Sequence, residues 1–329
     1  MSGSRNVQEA TGKQGLFVAA VVVAAVVVAV VVVFRTDTTG ESGSGLTKSF
    51  HYDRNTSRKT DPNLITHSET GKIELKLEEP RGVAVSKADT VFVAGDDVVA
   101  RFDKDGTPLP DLRVGGEAFC VAVGADGAVY VGLRDHVRVF DAAGEQKASW
   151  DSRGERAFLT GIAVADEDVF VADSGNRVVL HYKISGQFEK EIGSFNLPSP
   201  HLDVTVGEQG LLWVNNPGKL RLEGYTFRGD LERTWGEHSS KIQDFCGCCN
   251  PTSVALLPDG RFVTSEKGIA RVKTYSSDGK FEGVVAGVEL FTRKTEGLDL
   301  AVDSQSRILV LDPVAKAVRI FAPKPKDGA

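Results

Sequence analysis

Beyond residue 70 the chain is written in short, valine-rich apolar runs that return at regular intervals. A first run opens each unit: GVAV from Gly82, CVAV from Cys120, GIAV from Gly161, DVTV from Asp203, SVAL from Ser253 and DLAV from Asp299. A second follows after a short gap: VFVA from Val91, VYVG from Val129, VFVA from Val169, LWVN from Leu212, FVTS from Phe262 and LVLD from Leu309. A third run ends in an aromatic, at Phe102, Phe140, Tyr182, Tyr225 or Phe227, Tyr275 and Phe321. Short β-branched runs separated by DKDG, DAAG, LPDG and SSDG read as strands joined by tight hairpins, because Asp and Gly reach the positive φ such turns need. The first runs start 38 to 50 residues apart, the period of four-stranded propeller blades. The pattern predicts an all-β, six-bladed β-propeller over residues 71–324. Its sixth unit stops at VRIFAPKP after three runs, whereas GKIELKL, Gly71–Leu77, precedes the first unit without a partner. Pairing that strand with the last blade closes the ring and removes two open edges.

One run breaks this rhythm. Leu16 to Phe34, LFVAAVVVAAVVVAVVVVF, has no polar side chain over 19 residues. As a helix it measures about 28 Å, close to the ~30 Å hydrocarbon core of a bilayer. It is longer than a cleavable signal's apolar core and no A-x-A-like site follows it, so the reading is one N-terminal transmembrane helix retained as a signal anchor. Residues 1–15 are then a short tail and residues 325–329 a C-terminal tail. Residues 35–70, rich in Gly, Ser and Thr, form a flexible polar linker that cannot repay its ordering entropy by burial. Arg5 and Lys13 balance Arg35 and Lys48, so charge does not set the orientation. The short leading tail places the propeller outside the cytoplasm, periplasmic or extracellular, in a single-pass membrane protein. Apolar and charged fractions of 41% and 26% are those of a folded domain, and a net charge of −6 without a basic block excludes a nucleic-acid footprint.

The unit GIAVADEDVFVADSGNRVVLHY, Gly161–Tyr182, resembles the NHL repeat in its G-I-A-V opening, its V-A-D-S-G-N-R-V link and its terminal aromatic. Asn215, Asn216 and Gly218 echo the link in the fourth unit, and Asp312 and Val318 in the sixth. The resemblance implies an NHL-type propeller; for function it implies only a platform on which sites are built. A gluconolactonase-like propeller would hold a divalent metal with an acid at the first inner strand, but Arg81 stands there. Asn215 or Asn216 and Asp312 match the later positions of that set.

Three of the four cysteines lie in DFCGCCNP, Asp244–Pro251, ahead of the fifth unit's first run. A structural zinc site wants a second pair of ligands, which the chain lacks. A disulfide within the cluster would be strained and readily reduced. A soft-metal or redox role would use Cys248 and Cys249, with Cys246 as a further donor. The cofactor such residues suit is a soft or divalent metal ion. The stretch from Gly247 to Tyr275 is similar to a signature of bacterial membrane-anchored NHL-repeat proteins with a GCCNP motif. Cys120 occupies a position that is Gly in two other units, which reads as packing.

Propeller topology puts the loops between blades on one face with the loops joining second and third strands. That face gathers Arg81, His201, Asp203, Asn215, Asn250, Glu266, Lys267, Asp299 and Asp312 as candidate ligand-binding residues at the channel mouth. No Ser-His-acid set can be assembled from the six histidines, and no catalytic residue is assigned. The expected function is a membrane-anchored platform for a protein, glycan or small-molecule ligand. The alternative is a thiol-based redox or metal-dependent propeller enzyme.

Overall fold

In the computed structural model, residues 59–207 and 210–325 are described. They form six four-stranded antiparallel sheets, as the repeat requires. The innermost strands are Pro80–Val85, Cys120–Val123, Leu159–Val164, Val204–Val206, Ser253–Leu256 and Asp299–Val302. In blades one to five the four strands follow chain order from the axis outwards. In blade six the outermost strand is supplied from the N-terminal side: His67–Glu74 pairs antiparallel with Ala317–Pro323. Ring closure by this segment is therefore observed. The strand starts at His67, ahead of the expected Gly71, and a bulge between Glu69 and Gly71 adjusts its register. Arg319 clasps Glu69 across it, at 3.0 and 2.6 Å.

The packing explains why the second runs are largely apolar on both faces. In Val91–Gly95, Val91 and Val93 pack against blade six, while Phe92 and Ala94 pack against blade two. Successive side chains leave a strand on opposite faces, so a strand covered on both faces shows no polar alternation. Among the described residues six hydrophobic clusters sit between neighbouring blades and together make a continuous ring. Outer strands such as Phe188–Ile192 and Leu231–Trp235 are exposed at four consecutive positions, on both faces, and are largely polar. The four hairpin glycines Gly106, Gly144, Gly260 and Gly279 have φ of 83°, 91°, 83° and 82°, the left-handed region their turns demand.

No helix among the described residues is long and apolar enough to cross a membrane. The span read at Leu16–Phe34 lies outside the described residues.

Candidate functional site at the channel mouth

The aligned first position of the six units carries Gly82, Cys120, Gly161, Asp203, Ser253 and Asp299. Half of this ring is small and half is polar. The small half gives the acids room: a Cβ on Gly161 would come within 2.5 Å of the Asp203 Oδ1. Asp203 accepts from the Val204 N–H at 2.8 Å, the Val254 N–H at 2.9 Å and the Ser253 hydroxyl at 2.8 Å. Asp299 accepts from the Val83 N–H at 2.7 Å, and Ser253 Oγ stands 3.1 Å from its other oxygen. The pair thus staples blade four to blade five and blade six to blade one. Burial pushes both carboxyls up, and the charge of Asp203 adds to the rise at Asp299; the pair titrates between about 6 and about 7 instead of near 3.8.

Above this ring opens a cavity of about 590 Å³. Phe119 and Phe158 form an apolar wall, ring centroids 5.0 Å apart at 83°. Arg81 lies over the Phe119 ring at 4.3 Å, held by Glu79 and Glu117. Opposite stand His201 and Lys267. Burial first, then the charge of Lys267, lowers His201 to about 4, so its imidazole is neutral at physiological pH. Of the nine candidate residues, the structure brings Arg81, His201, Asp203, Lys267 and Asp299 to this cavity.

The other four face inwards and hold backbone or buried charge. Asn215 donates to the His201 carbonyl at 3.2 Å and the Pro251 carbonyl at 3.0 Å, and accepts from the Asp203 N–H at 2.6 Å. Asp312 accepts from the N–H groups of Val314 and Ala315, at 3.1 and 3.0 Å. Glu266 is buried against Arg271 and Lys273. Asn250 donates to the carbonyls of Cys246 and Lys267, at 2.7 and 3.2 Å, and accepts from the Lys267 N–H at 2.8 Å. A shared rule emerges at the ends of second strands: Asp96 accepts from Glu78 and Glu79, Asp173 from Phe158, and Asn215 from Asp203. Each pins the chain as it enters its own blade.

The cysteine loop is anchored at both ends. Phe245 is fully buried, and the buried Lys273 bonds the carbonyls of Ile242 and Asp244 at 3.0 and 2.9 Å. Burial drives Lys273 down to about 8, against the pull of Glu266. Asn250 closes the far end. Between them Cys248 is exposed and Cys249 buried, with their sulfurs 3.0 Å apart. Cys120 is buried between blades two and three, and a Cβ on Gly132 would collide with its sulfur. Burial raises its thiol strongly. Among the described residues no group of three or more His, Cys, Asp or Glu could hold a metal ion.

Sequence reasoning overlooked Ser253, Phe119 and Phe158. Ser253 had a signal, since it aligns with Asp203 and Asp299 in the repeat. The two phenylalanines lie just ahead of inner strands, outside the runs that reveal the fold.

The chain is thus a closed six-bladed β-propeller with a partly apolar cavity at one mouth of its channel. No protein-family model matches it, and no curated protein matches it significantly. Solved structures do. A streptogramin B lyase aligns over 80% of this chain and all of its own, at TM-score 0.57 and 11% identity. Virginiamycin B lyase from Staphylococcus aureus covers 79% of this chain and 89% of its own, at TM-score 0.53 and 14% identity. The WD40 propeller domain of Doa1 covers 74% and 79%, at TM-score 0.54 and 16% identity. At these identities the likeness is one of fold.

Proposed function

We propose that this chain is a membrane-anchored, extracytoplasmic propeller of the NHL-repeat type, of the GCCNP-bearing kind, that binds a small amphipathic ligand at its channel mouth. The observation that carries the reading is the cavity itself. Its size falls in the ~300–1,000 Å³ of small-molecule sites, and it sets an apolar wall against a few convergent polar groups, as such sites do. An apolar or aromatic part of the ligand rests on Phe119 and Phe158; its hydrogen-bond donors meet the Asp203–Ser253–Asp299 array. Lys267 offers a cation to any acidic group at the rim.

The test is a thermal-shift screen of the full-length protein in detergent against a panel of small amphipathic compounds, with Val314→Trp beside the wild type. Val314 lines the cavity and is 42% exposed, so the indole fills the mouth without entering the core. Compounds that raise the wild-type midpoint should lose that effect in the variant. A panel without hits, or hits unaffected by Val314→Trp, refutes the site. Anchoring is tested separately by alkaline carbonate extraction of membranes: release of the intact chain into the supernatant overturns it.

A further inference from the structure

We propose that Cys248 and Cys249 are a redox couple that undergoes thiol–disulfide exchange with a disulfide-bearing partner. This does not rest on the cavity reading. The geometry is that of a couple. The two sulfurs are 3.0 Å apart, near enough for a bond to form with little movement. One is exposed and the other buried, so an incoming disulfide reaches Cys248 while Cys249 is shielded as the second thiol.

The surroundings divide the roles further. Burial raises the Cys249 thiol, but contacts from Cys248 and Ser199 and the ammonium of Lys267 outweigh it and leave Cys249 below its ordinary value. Cys248 is raised, chiefly by its contact with Cys249. The buried sulfur is thus the readier of the two to ionise, as the second attacking thiolate must. Metal capture is the poorer use of these thiols, because no third His, Cys, Asp or Glu converges on them among the described residues. Cys246 instead lies within electrostatic reach of Arg271 and Lys273, its carbonyl held by Asn250.

The exchange balances. Cys248, deprotonated to its thiolate, attacks one sulfur of the partner's disulfide, forming a mixed disulfide, and the first departing thiolate takes up a proton. Cys249, likewise deprotonated, then attacks the Cys248 sulfur, breaks the mixed disulfide, and the second departing thiolate takes up a proton. Two electrons and, by way of solvent, the two thiol protons pass to the partner, which is reduced to a dithiol while this chain is oxidised to a disulfide. The reverse sequence regenerates the couple. A bridge between adjacent residues is strained, which keeps it readily reducible.

Full-length protein in detergent is equilibrated with graded ratios of oxidised to reduced dithiothreitol, blocked with N-ethylmaleimide and digested with trypsin. The peptide Ile242–Arg261 carries the three loop cysteines. At reducing ratios it should hold three maleimide adducts, and at oxidising ratios one, in a single two-electron transition. Cys248→Ser, at an exposed position, and Cys249→Ser should each abolish the transition, while Cys246→Ser and Cys120→Ser should keep it. Three adducts at every ratio overturn the proposal. So does loss of the transition in Cys246→Ser with its survival in Cys248→Ser, which would move the bond elsewhere.

Discussion

Replacing Asp299 by asparagine should stabilise this protein at pH 8 and leave it almost unchanged at pH 5. The reason lies in one hydroxyl. Ser253 stands 2.8 Å from Asp203 and 3.1 Å from Asp299, yet it has a single proton to donate. When it gives that proton to one carboxylate, the other contact is favourable only if the second carboxyl carries a proton of its own. Burial and the neighbouring charge supply that proton up to about 7 at Asp299. In the unfolded chain the same group ionises near 3.8, so between these values the folded state binds more protons and stability falls as pH rises through the interval. At ~1.4 kcal/mol per tenfold change in proton affinity, the ceiling of the effect is about 4 kcal/mol. Because the side chain borders an open cavity, screening reduces this to ~1–2 kcal/mol. In Asp299→Asn the amide keeps a carbonyl oxygen for the Val83 N–H and offers an N–H to Ser253 Oγ, which frees the serine proton for Asp203. Urea unfolding of the full-length protein in detergent, followed by the fluorescence of the buried Trp150 and Trp213, should show a gain of ~1–2 kcal/mol at pH 8 and under ~0.5 kcal/mol at pH 5. In thermal melts the gain is about 2–8 °C. Asp299→Ala, which loses the Val83 staple, should destabilise at both pH values. An asparagine variant that is weaker at pH 8, or equally stronger at both, would refute the shared proton.

Ile73→Pro should cost ~3 kcal/mol or more, since it removes a donor from the strand that pairs Ile73 with Val318 and closes the ring; a variant with an unchanged midpoint that stays monomeric by light scattering counts against closure through this strand. Lys273→Met strands two loop carbonyls while Arg271 still neutralises Glu266, so a loss of ~2–4 kcal/mol is expected, together with faster proteolysis within residues 237–250. The lowered pKa of Lys273 adds a second pH signature. The unfolded lysine holds its proton to 10.5 and the folded one to about 8, so stability should rise with pH across that interval. Hydrogen exchange at the loop amides that does not respond to Lys273→Met would show that this lysine does not hold the loop.

Blade number, strand order and closure were legible because packing imposes a period. Every inner and second strand must present side chains to two neighbouring blades, and that requirement is written directly as valine-rich runs. The start of the closing strand was less visible. His67–Thr70 pairs mainly through its backbone and leaves Ser68, Glu69 and Thr70 exposed, so nothing in HSET alternates. The candidate site was legible in position but not in role. A polar residue at the end of a strand looks the same whether it borders the cavity, like Asp299, or lies buried and holds an N–H, like Asn215 and Asp312. Only the third dimension tells which backbone donor lies within reach. Phe119 and Phe158 escaped notice because an aromatic outside an apolar run carries no periodic signal.

The repeat offers a different way to separate fold from function. Near the ends of second strands, Asp96, Asp173 and Asn215 do the same structural work in three blades, although they fall at successive positions of the aligned runs. Departures from the repeat that carry no such work are where the chain has been free to serve something else. Two departures matter. The ring position changes from Gly or Cys in blades one to three to Asp, Ser and Asp in blades four to six. The spacing of first runs is longest, at 50 residues, between Asp203 and Ser253, where the cysteine loop is inserted. Both fall in the same sector of the mouth, and Lys267 is bonded to the loop and lines the same cavity as the ring acids. Its N–H is held by Asn250 of the inserted loop, its ammonium acts on Cys249 and on His201, and its side chain lines the cavity. A change of charge at the thiol pair is thus felt by a cation that borders the cavity. That coupling requires no movement of the blades, because the loop, the lysine and the acid array are already fixed to one another by hydrogen bonds.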